Sequence, residues 1–268
     1  MFTKTTLVLS SFCLATLLSS AVQASGGSFE LPTDMLFTGT VIDTAPNWQW
    51  EVHSEAQAWA QGWDADISDG IKDGNIIRFT YPSKNAEGRN AFVQGMMSST
   101  ASSGRSDILP QVSITDAQGQ RVLLNGDTIK QAVTIDATGL LPGGATVPGT
   151  LSLSIESAYT VTYKRHSDIT NYYSESYNGD IGWAAASVVI NNLPEDYTFN
   201  GDGVKMRAQY ARFASGYSIA SVIKGDAGPS DMYDVVGGFS SHLSEISTSW
   251  TTVPNTWTAT LTAQIEIP

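Results

Sequence analysis

Apolar residues recur at every second position through much of the chain, which places them on one face of an extended strand. The longest run is Leu151, Leu153, Ile155, Tyr159, Val161 and Tyr163, with the small Ser157 keeping the register between them. Ile77, Phe79 and Tyr81 form a second run. Val112 and Ile114, Val133 and Ile135, and Val204 and Met206 form shorter ones. Tyr217, Ile219 and Ile223 share a parity and also read as strand. Turn chemistry separates these runs at Asp69-Gly70, Asp73-Gly74, Asn125-Gly126, Pro142-Gly143-Gly144, Asn178-Gly179 and Asn200-Gly201. The pattern predicts an all-β chain folded as one antiparallel β-sandwich, without a fixed-period repeat.

Helix is a minor component. Val52, Ala56, Trp59, Ala60 and Trp63 fall at helical spacing over a short segment. Ile181 to Leu193, and the set Leu243, Ile246 and Trp250, fit helix or strand equally.

The two ends carry the sharpest pattern. Trp257, Ala259, Leu261, Ala263, Ile265 and Ile267 alternate with Thr258, Thr260, Thr262, Gln264 and Glu266, which predicts one strand running almost to Pro268. Near the other end Phe29, Leu31, Met35 and Phe37 share a parity, with Thr33 in register and Ser25-Gly26-Gly27-Ser28 as a flexible lead. Pro32 has no N–H, so this segment is not a regular central strand at that point. An exposed apolar strand invites aggregation unless something covers it. Both ends are accounted for if the sandwich is one strand short and a neighbouring subunit's N-terminal extension fills the groove beside the C-terminal strand. Burying Phe29, Leu31 and Met35 contributes roughly 1.5–3 kcal/mol each. Ordering about ten residues costs roughly 1–2 kcal/mol each, so the groove's own apolar face and the backbone pairing must supply the remainder. An ordinary closed sandwich with a terminal strand is the alternative.

Composition narrows the setting. The chain of 268 residues is 41% hydrophobic and 15% charged, so it is globular, with fewer charges than the usual share of about 25%. The net charge of −12 disfavours nucleic acid and anionic lipid as partners. Lys4 followed by the apolar stretch Leu7 to Leu18, then Val22-Gln23-Ala24, predicts a secretory signal over residues 1–24, too short for a permanent membrane anchor. The cut removes Cys13, the only cysteine, so the exported chain is expected to have no disulfide and no thiol ligand.

Catalytic and metal-binding signatures are weak. His53, His166 and His242 are far apart in sequence and no H-E-x-x-H exists. Asp64, Asp66, Ser68 and Asp69 begin like a calcium loop, but its glycine falls one place late, at Gly70, and Asn75 stands where the loop needs Glu, so an acidic turn is expected. The nearest approach to a nucleophile elbow, Gly216-Tyr217-Ser218-Ile219-Ala220, lies in an alternating segment. Trp48 and Trp50 share a strand face and are expected in the core. No cofactor and no enzymatic activity are predicted. A carboxylate pair for glycoside hydrolysis stays open, so an extracellular carbohydrate-binding module or glycan-active enzyme is the alternative function.

Three blocks resemble the large subunits of chaperone–usher fimbriae of the kappa clade, surface fibres of enteric Gram-negative bacteria. The first is Phe37-Thr38-Gly39-Thr40-Val41 followed by Trp48-Gln49-Trp50-Glu51-Val52. The second is Leu109 to Asp116 (LPQVSITD) with Gly119 and Val122. The third is the tail from Trp257 to Ile267. The chain departs from many pilins in having Ile267 where an aromatic residue stands next to last.

The resemblance implies an incomplete immunoglobulin-like antiparallel β-sandwich lacking its last strand, over residues 37–268. A periplasmic chaperone would hold Leu261, Ala263, Ile265 and Ile267 of the C-terminal strand. An outer-membrane usher would then exchange it for the 25–36 donor extension of the next fimbrial subunit, with Phe29, Leu31, Thr33 and Met35 entering the groove. The resemblance further implies an insertion, here residues 163–193 with room for a short helix, that can bind a host glycoconjugate. Its candidate residues are Lys164, Arg165, His166, Tyr172, Tyr173, Tyr177 and Trp183, since aromatic faces beside hydrogen-bonding groups suit sugars. A solvated loop over a packed aromatic cluster is the alternative for the same residues.

Overall fold

Two long strands organise the molecule. In the computed structural model, which describes residues 47–177, 179–192 and 218–267, the elements in chain order begin with β1 (Trp48–Val52), α1 (Ala56–Trp59), β2 (Ile71–Asp73), β3 (Ile76–Thr80) and β4 (Arg89–Met97). Then come β5 (Gln111–Thr115), β6 (Arg121–Leu123), β7 (Gln131–Leu140), β8 (Thr146–Arg165) and β9 (Asp168–Ser176). The last are α2 (Asp180–Asn192), α3 (Ile219–Lys224), β10 (Met232–Trp250), β11 (Thr256–Ala259) and β12 (Ala263–Glu266). All lie in the unit Asp43–Pro268. The predicted signal, the extension with Phe29, Leu31, Thr33 and Met35, the pair Val204 and Met206, and Tyr217 fall outside the described residues.

The fold is all-β and sandwich-like, as the alternation predicts. β8 and β10 pair antiparallel along most of their length and form the centre of a curled nine-stranded sheet. β10 takes β4 as its other neighbour over Gly238–Ser244 and β3 over Ser247–Trp250. β8 takes β7 over its first half and β9 over its second. A smaller sheet, ordered β12-β5-β6, completes the sandwich. The main core, with Ile108, Val112, Ile114, Ile155, Val161, Phe239 and Trp250, is almost fully buried. Tyr159 fastens β8 to the start of β5, its hydroxyl donating to the Pro110 carbonyl at 2.7 Å.

Two segments differ from the sequence expectation, Ile219–Lys224 and the C-terminal strand, and a third, Leu243 to Trp250, resolves as strand. Ile219–Lys224 is helical, not strand: Ser218 caps it by accepting from the Ser221 N–H, and Gly225 closes it at φ 77°. Spacings of three and four bury Ile219, Val222 and Ile223 on one helical face, and a spacing of four fits both periods. Leu243 and Ile246, three apart, would point to opposite faces of a regular strand. Both are buried because the register shifts between Ser244 and Ser247, where Glu245 adopts φ 57°. The predicted single C-terminal strand is two, β11 in the large sheet and β12 in the small one, with Thr260 to Thr262 between them.

Ile181 to Leu193, open between helix and strand, forms α2 as far as Asn192. This helix covers the outer face of β8 and β10, burying Ala158, Thr160 and Thr162 beneath it. Small residues permit the approach: a Cβ on Gly238 would lie 2.3 Å from Cγ2 of Val189. Only Ala56–Trp59 of the predicted first helix forms. Trp48 and Trp50 stack at 5.2 Å and pack partly buried against the core, with Trp48 Nε1 donating to the Ile108 carbonyl.

Candidate functional site

Among the described residues, β11 and β12 each have a neighbouring strand on one side only: β11 pairs with β7 and β12 with β5. The burial alternates as the sequence predicts: Trp257, Ala259, Leu261, Ala263 and Ile265 are partly covered, and the intervening Thr258, Thr260, Thr262, Gln264 and Glu266 are exposed. The contrast with β7 is informative. Its inward residues Val133, Ile135 and Ala137 retain 3–4% of their surface, and Ala137 is flanked by both β8 and β11. The inward residues of β11 and β12 touch the same core yet stay half-covered. Ile267 lies just past β12 and is 47% exposed.

A cleft of about 510 Å³ opens against β11. One wall is Thr256 to Ala259, the other is Ala60 to Ala65 with Ile67, and Phe79, Tyr81 and Trp250 also line it. Its aromatic side is rigid. Trp63 meets Trp59 edge-on at 4.8 Å and Tyr81 at 6.0 Å, and Tyr81 lies 5.9 Å from Trp257. The Tyr81 hydroxyl is within 3.0 Å of Thr248 Oγ1, and burial raises its pKa. Lys84 holds the 60–63 turn by donating to the carbonyls of Trp59 and Gln61 while its ammonium sits 4.1 Å from the Trp63 ring. Nothing in the periodicity of Trp59 and Trp63 indicates that their turn faces the C-terminal strand.

The 163–193 region brings part of the predicted set together. Lys164 and Arg165 end β8, His166 begins the turn, and Tyr172 and Tyr173 lie in β9, in register with Lys164 and Tyr163. Tyr173 stacks on Tyr163 at 5.8 Å, donates its hydroxyl to Asp168, and has the Arg165 guanidinium 5.9 Å from its ring. Three residues that the sequence reading did not single out complete the cluster. Asp231 accepts from Arg165 Nε and from the Ser167 N–H, both at 3.0 Å. Those Ser167 hydrogen bonds, with Arg165, hold its carboxyl down to about 2. Asp234 lies 3.5 Å from the Lys164 ammonium, and Tyr233 stacks on His166 at 4.4 Å. Both cations therefore face carboxylates, and with Asp168 beside Tyr173 the hairpin tip is an aromatic surface with one acid in excess.

Tyr177 and Trp183 lie elsewhere. Tyr177 is partly buried against Ala158, Ile181 and Ala185 under α2. Trp183, on α2, is 44% exposed.

Asp66 and Asp69 engage each other's turn: Asp66 accepts from the Ser68 N–H at 2.8 Å and Asp69 from the Asp66 N–H at 3.2 Å, a capping box on a single 3₁₀ turn. The segment is thus an acidic turn. Among the described residues no three potential ligands gather at one point. Ser218, at the centre of the elbow-like segment, is the helix cap of α3. No protein-family model matches the chain, and no curated protein matches it.

Proposed function

We propose that this chain is an exported fimbrial subunit that polymerises by strand donation and contributes to cell adhesion. The observation that carries the reading is that, among the described residues, β11 and β12 are edge strands whose apolar side chains reach the core yet stay partly exposed. An added strand would satisfy the free backbone groups of that edge and shield those side chains together. The aromatic-walled cleft beside β11 leaves room for it. On this reading a periplasmic chaperone holds the edge first, and an outer-membrane usher passes it to the 25–36 extension of the next subunit. The hairpin at Lys164–Tyr173 supplies a surface suited to an uncharged glycan of the host, since its cations are matched by Asp231 and Asp234.

Deletion of residues 25–36 tests the assembly reading. The deleted subunit is expected to be captured by the chaperone and to be unable to extend a fibre; normal fibres from it would refute strand donation. The purified full chain, without chaperone, is expected to aggregate or oligomerise. A stable monomer would instead favour an extracellular carbohydrate-binding module or glycan-active enzyme.

A further inference from the structure

We propose that the aromatic cleft beside β11 binds an alkylated ammonium ion of the choline type, held between Trp63 and Trp257, with Tyr81 behind it and Asp64 as its counter-charge. The inference stands apart from strand donation and needs only the cleft. Aromatic rings dominate its walls: Trp63, Phe79, Tyr81, Trp250 and Trp257 all line it, and Asp64 is the one charged residue that does. Among the described residues Asp64 has no ion pair and no hydrogen-bonded side-chain partner. Apolar walls with few placed polar groups are where small ligands bind, and the charge of those groups selects the ligand.

The ring geometry is concave. Trp63 meets Tyr81 at 72° and 6.0 Å, and Tyr81 meets Trp257 at 41° and 5.9 Å. Trp63 and Trp257 are partly exposed and Tyr81 is buried, so the indoles form the sides and the phenol the back. The Tyr81 hydroxyl is engaged by Thr248 Oγ1, which leaves its ring as the surface offered to a ligand. Aromatic faces attract cations, Trp most strongly, and quaternary ammonium ions are bound by enclosures of this kind. The molecule already contains one such attraction: the Lys84 ammonium lies 4.1 Å from the Trp63 ring centre, and Lys84 is outside the cleft lining. Asp64 acts on the same wall. Burial is the main cause that raises the Tyr81 pKa, and the charge of Asp64 adds to it. An anion would be repelled by that carboxylate and by the net charge of −12. A bare ammonium is compact and strongly hydrated, so the apolar walls would strip water from it without return. A methylated ammonium presents apolar groups to the rings and a positive charge to Asp64. The cleft, at about 510 Å³, has room for the rest of the molecule that carries it.

Calorimetric titration of the full chain with choline chloride tests the site. Choline and tetramethylammonium are expected to bind saturably. The uncharged tert-butyl analogue of choline, alike in shape, should bind at least tenfold more weakly. Asp64 is exposed, so Asp64→Asn should weaken choline at least tenfold while leaving the urea midpoint unchanged. Asp226→Asn, an exposed residue outside the cleft, removes the same charge and should leave choline binding unchanged. Trp63→Phe keeps a ring of weaker cation attraction and should weaken choline several-fold. No saturable binding overturns the proposal. So does equal binding of the uncharged analogue, undiminished binding by Asp64→Asn, or tighter binding of a neutral sugar than of choline. Sedimentation with vesicles identifies the source of the cation. Capture by phosphatidylcholine and not by phosphatidylglycerol assigns the site to a lipid headgroup, and choline binding without capture by either assigns it to a free cation.

Discussion

Gly149 and the indole of Trp250 share one position in the sheet. The two residues are register partners in β8 and β10, and a Cβ on Gly149 would lie 2.1 Å from Cε3 of the indole. Trp250 is 2% exposed, and its ring lines the cleft beside β11. Gly149→Ala must therefore push the indole off its site or spread the strands. Overpacking of this kind costs about 1–3 kcal/mol, read as a lower urea midpoint. Gly95 supplies the control. A Cβ there would lie 2.3 Å from Cε3 of Trp50 on β1, outside β11 and β12. Gly95→Ala should destabilise comparably, and Gly149→Ala should in addition impair binding of a 25–38 peptide. Equal peptide binding by the two variants would separate Trp250 from strand acceptance.

A charge on the half-covered face of the C-terminal strand should block assembly. An incoming strand would shield Ala259, and an unpaired buried carboxylate costs several kcal/mol. Ala259→Glu is expected to lower chaperone-captured subunit and fibre yield at least tenfold, each 1.4 kcal/mol being a factor of ten. Thr258→Glu, on the exposed face, should leave both near wild type. Matched yields from the two variants, measured by quantitative blotting, would contradict the assigned faces.

The hairpin and helix residues divide by burial. Trp183 is 44% exposed on α2, so Trp183→Ala should cost less stability than Tyr177→Ala. Tyr177 packs in the small cluster under α2, so Tyr177→Ala should cost about 1–3 kcal/mol. Tyr173→Ala removes the ring between Tyr163 and Arg165. If the insertion grips a glycan, Tyr173→Ala or Trp183→Ala should reduce host-cell adhesion about tenfold with fibre number unchanged. Full adhesion by both variants would move receptor binding away from this region.

Much of this fold is written in period-two alternation, because one-sided burial leaves that trace. Val133, Ile135 and Ala137 in β7, and Trp257 to Ile265 at the end, face as their parity predicts. The outer face of β8 and β10 was less legible. Ala158, Thr160 and Thr162 look like a solvated side, yet they are buried because α2 lies over them. Bulges erase parity locally: Glu245 shifts the register so that Leu243 and Ile246 both turn inward. The division of the last strand left no mark, since Thr260-Leu261-Thr262 continues the alternation through a change of sheet. In the 163–193 region, Lys164 to Tyr173 were singled out through the resemblance. Asp231, Tyr233 and Asp234 were not, because they come from β10 and join the hairpin only through long-range pairing.

His242 should make the fold sensitive to mild acid. Its imidazole is partly buried in β10, and Nδ1 is enclosed with no hydrogen-bond partner. Burial is the main cause that lowers its pKa to about 4 from 6.5. The charges of Arg89 on β4 and of His53 beyond β1 add to it, while Asp180 on α2 pulls the other way. Asp180 is ion-paired with Arg89, so these groups form one cluster between the sheet and the helix. A depressed basic pKa means that the unfolded chain takes up its proton first. The stability attached to neutral His242 is therefore fully present above about pH 6.5 and is lost progressively as pH falls towards 4. Screening by the water that still reaches the ring reduces the effect to roughly 1–2 kcal/mol. Urea midpoints should decline from pH 7 to 4.5 in the wild type and decline less in His242→Gln. Arg89→Gln should raise the imidazole pKa and narrow the window from its lower end. An unchanged slope in His242→Gln would assign the acid response to the carboxylates instead.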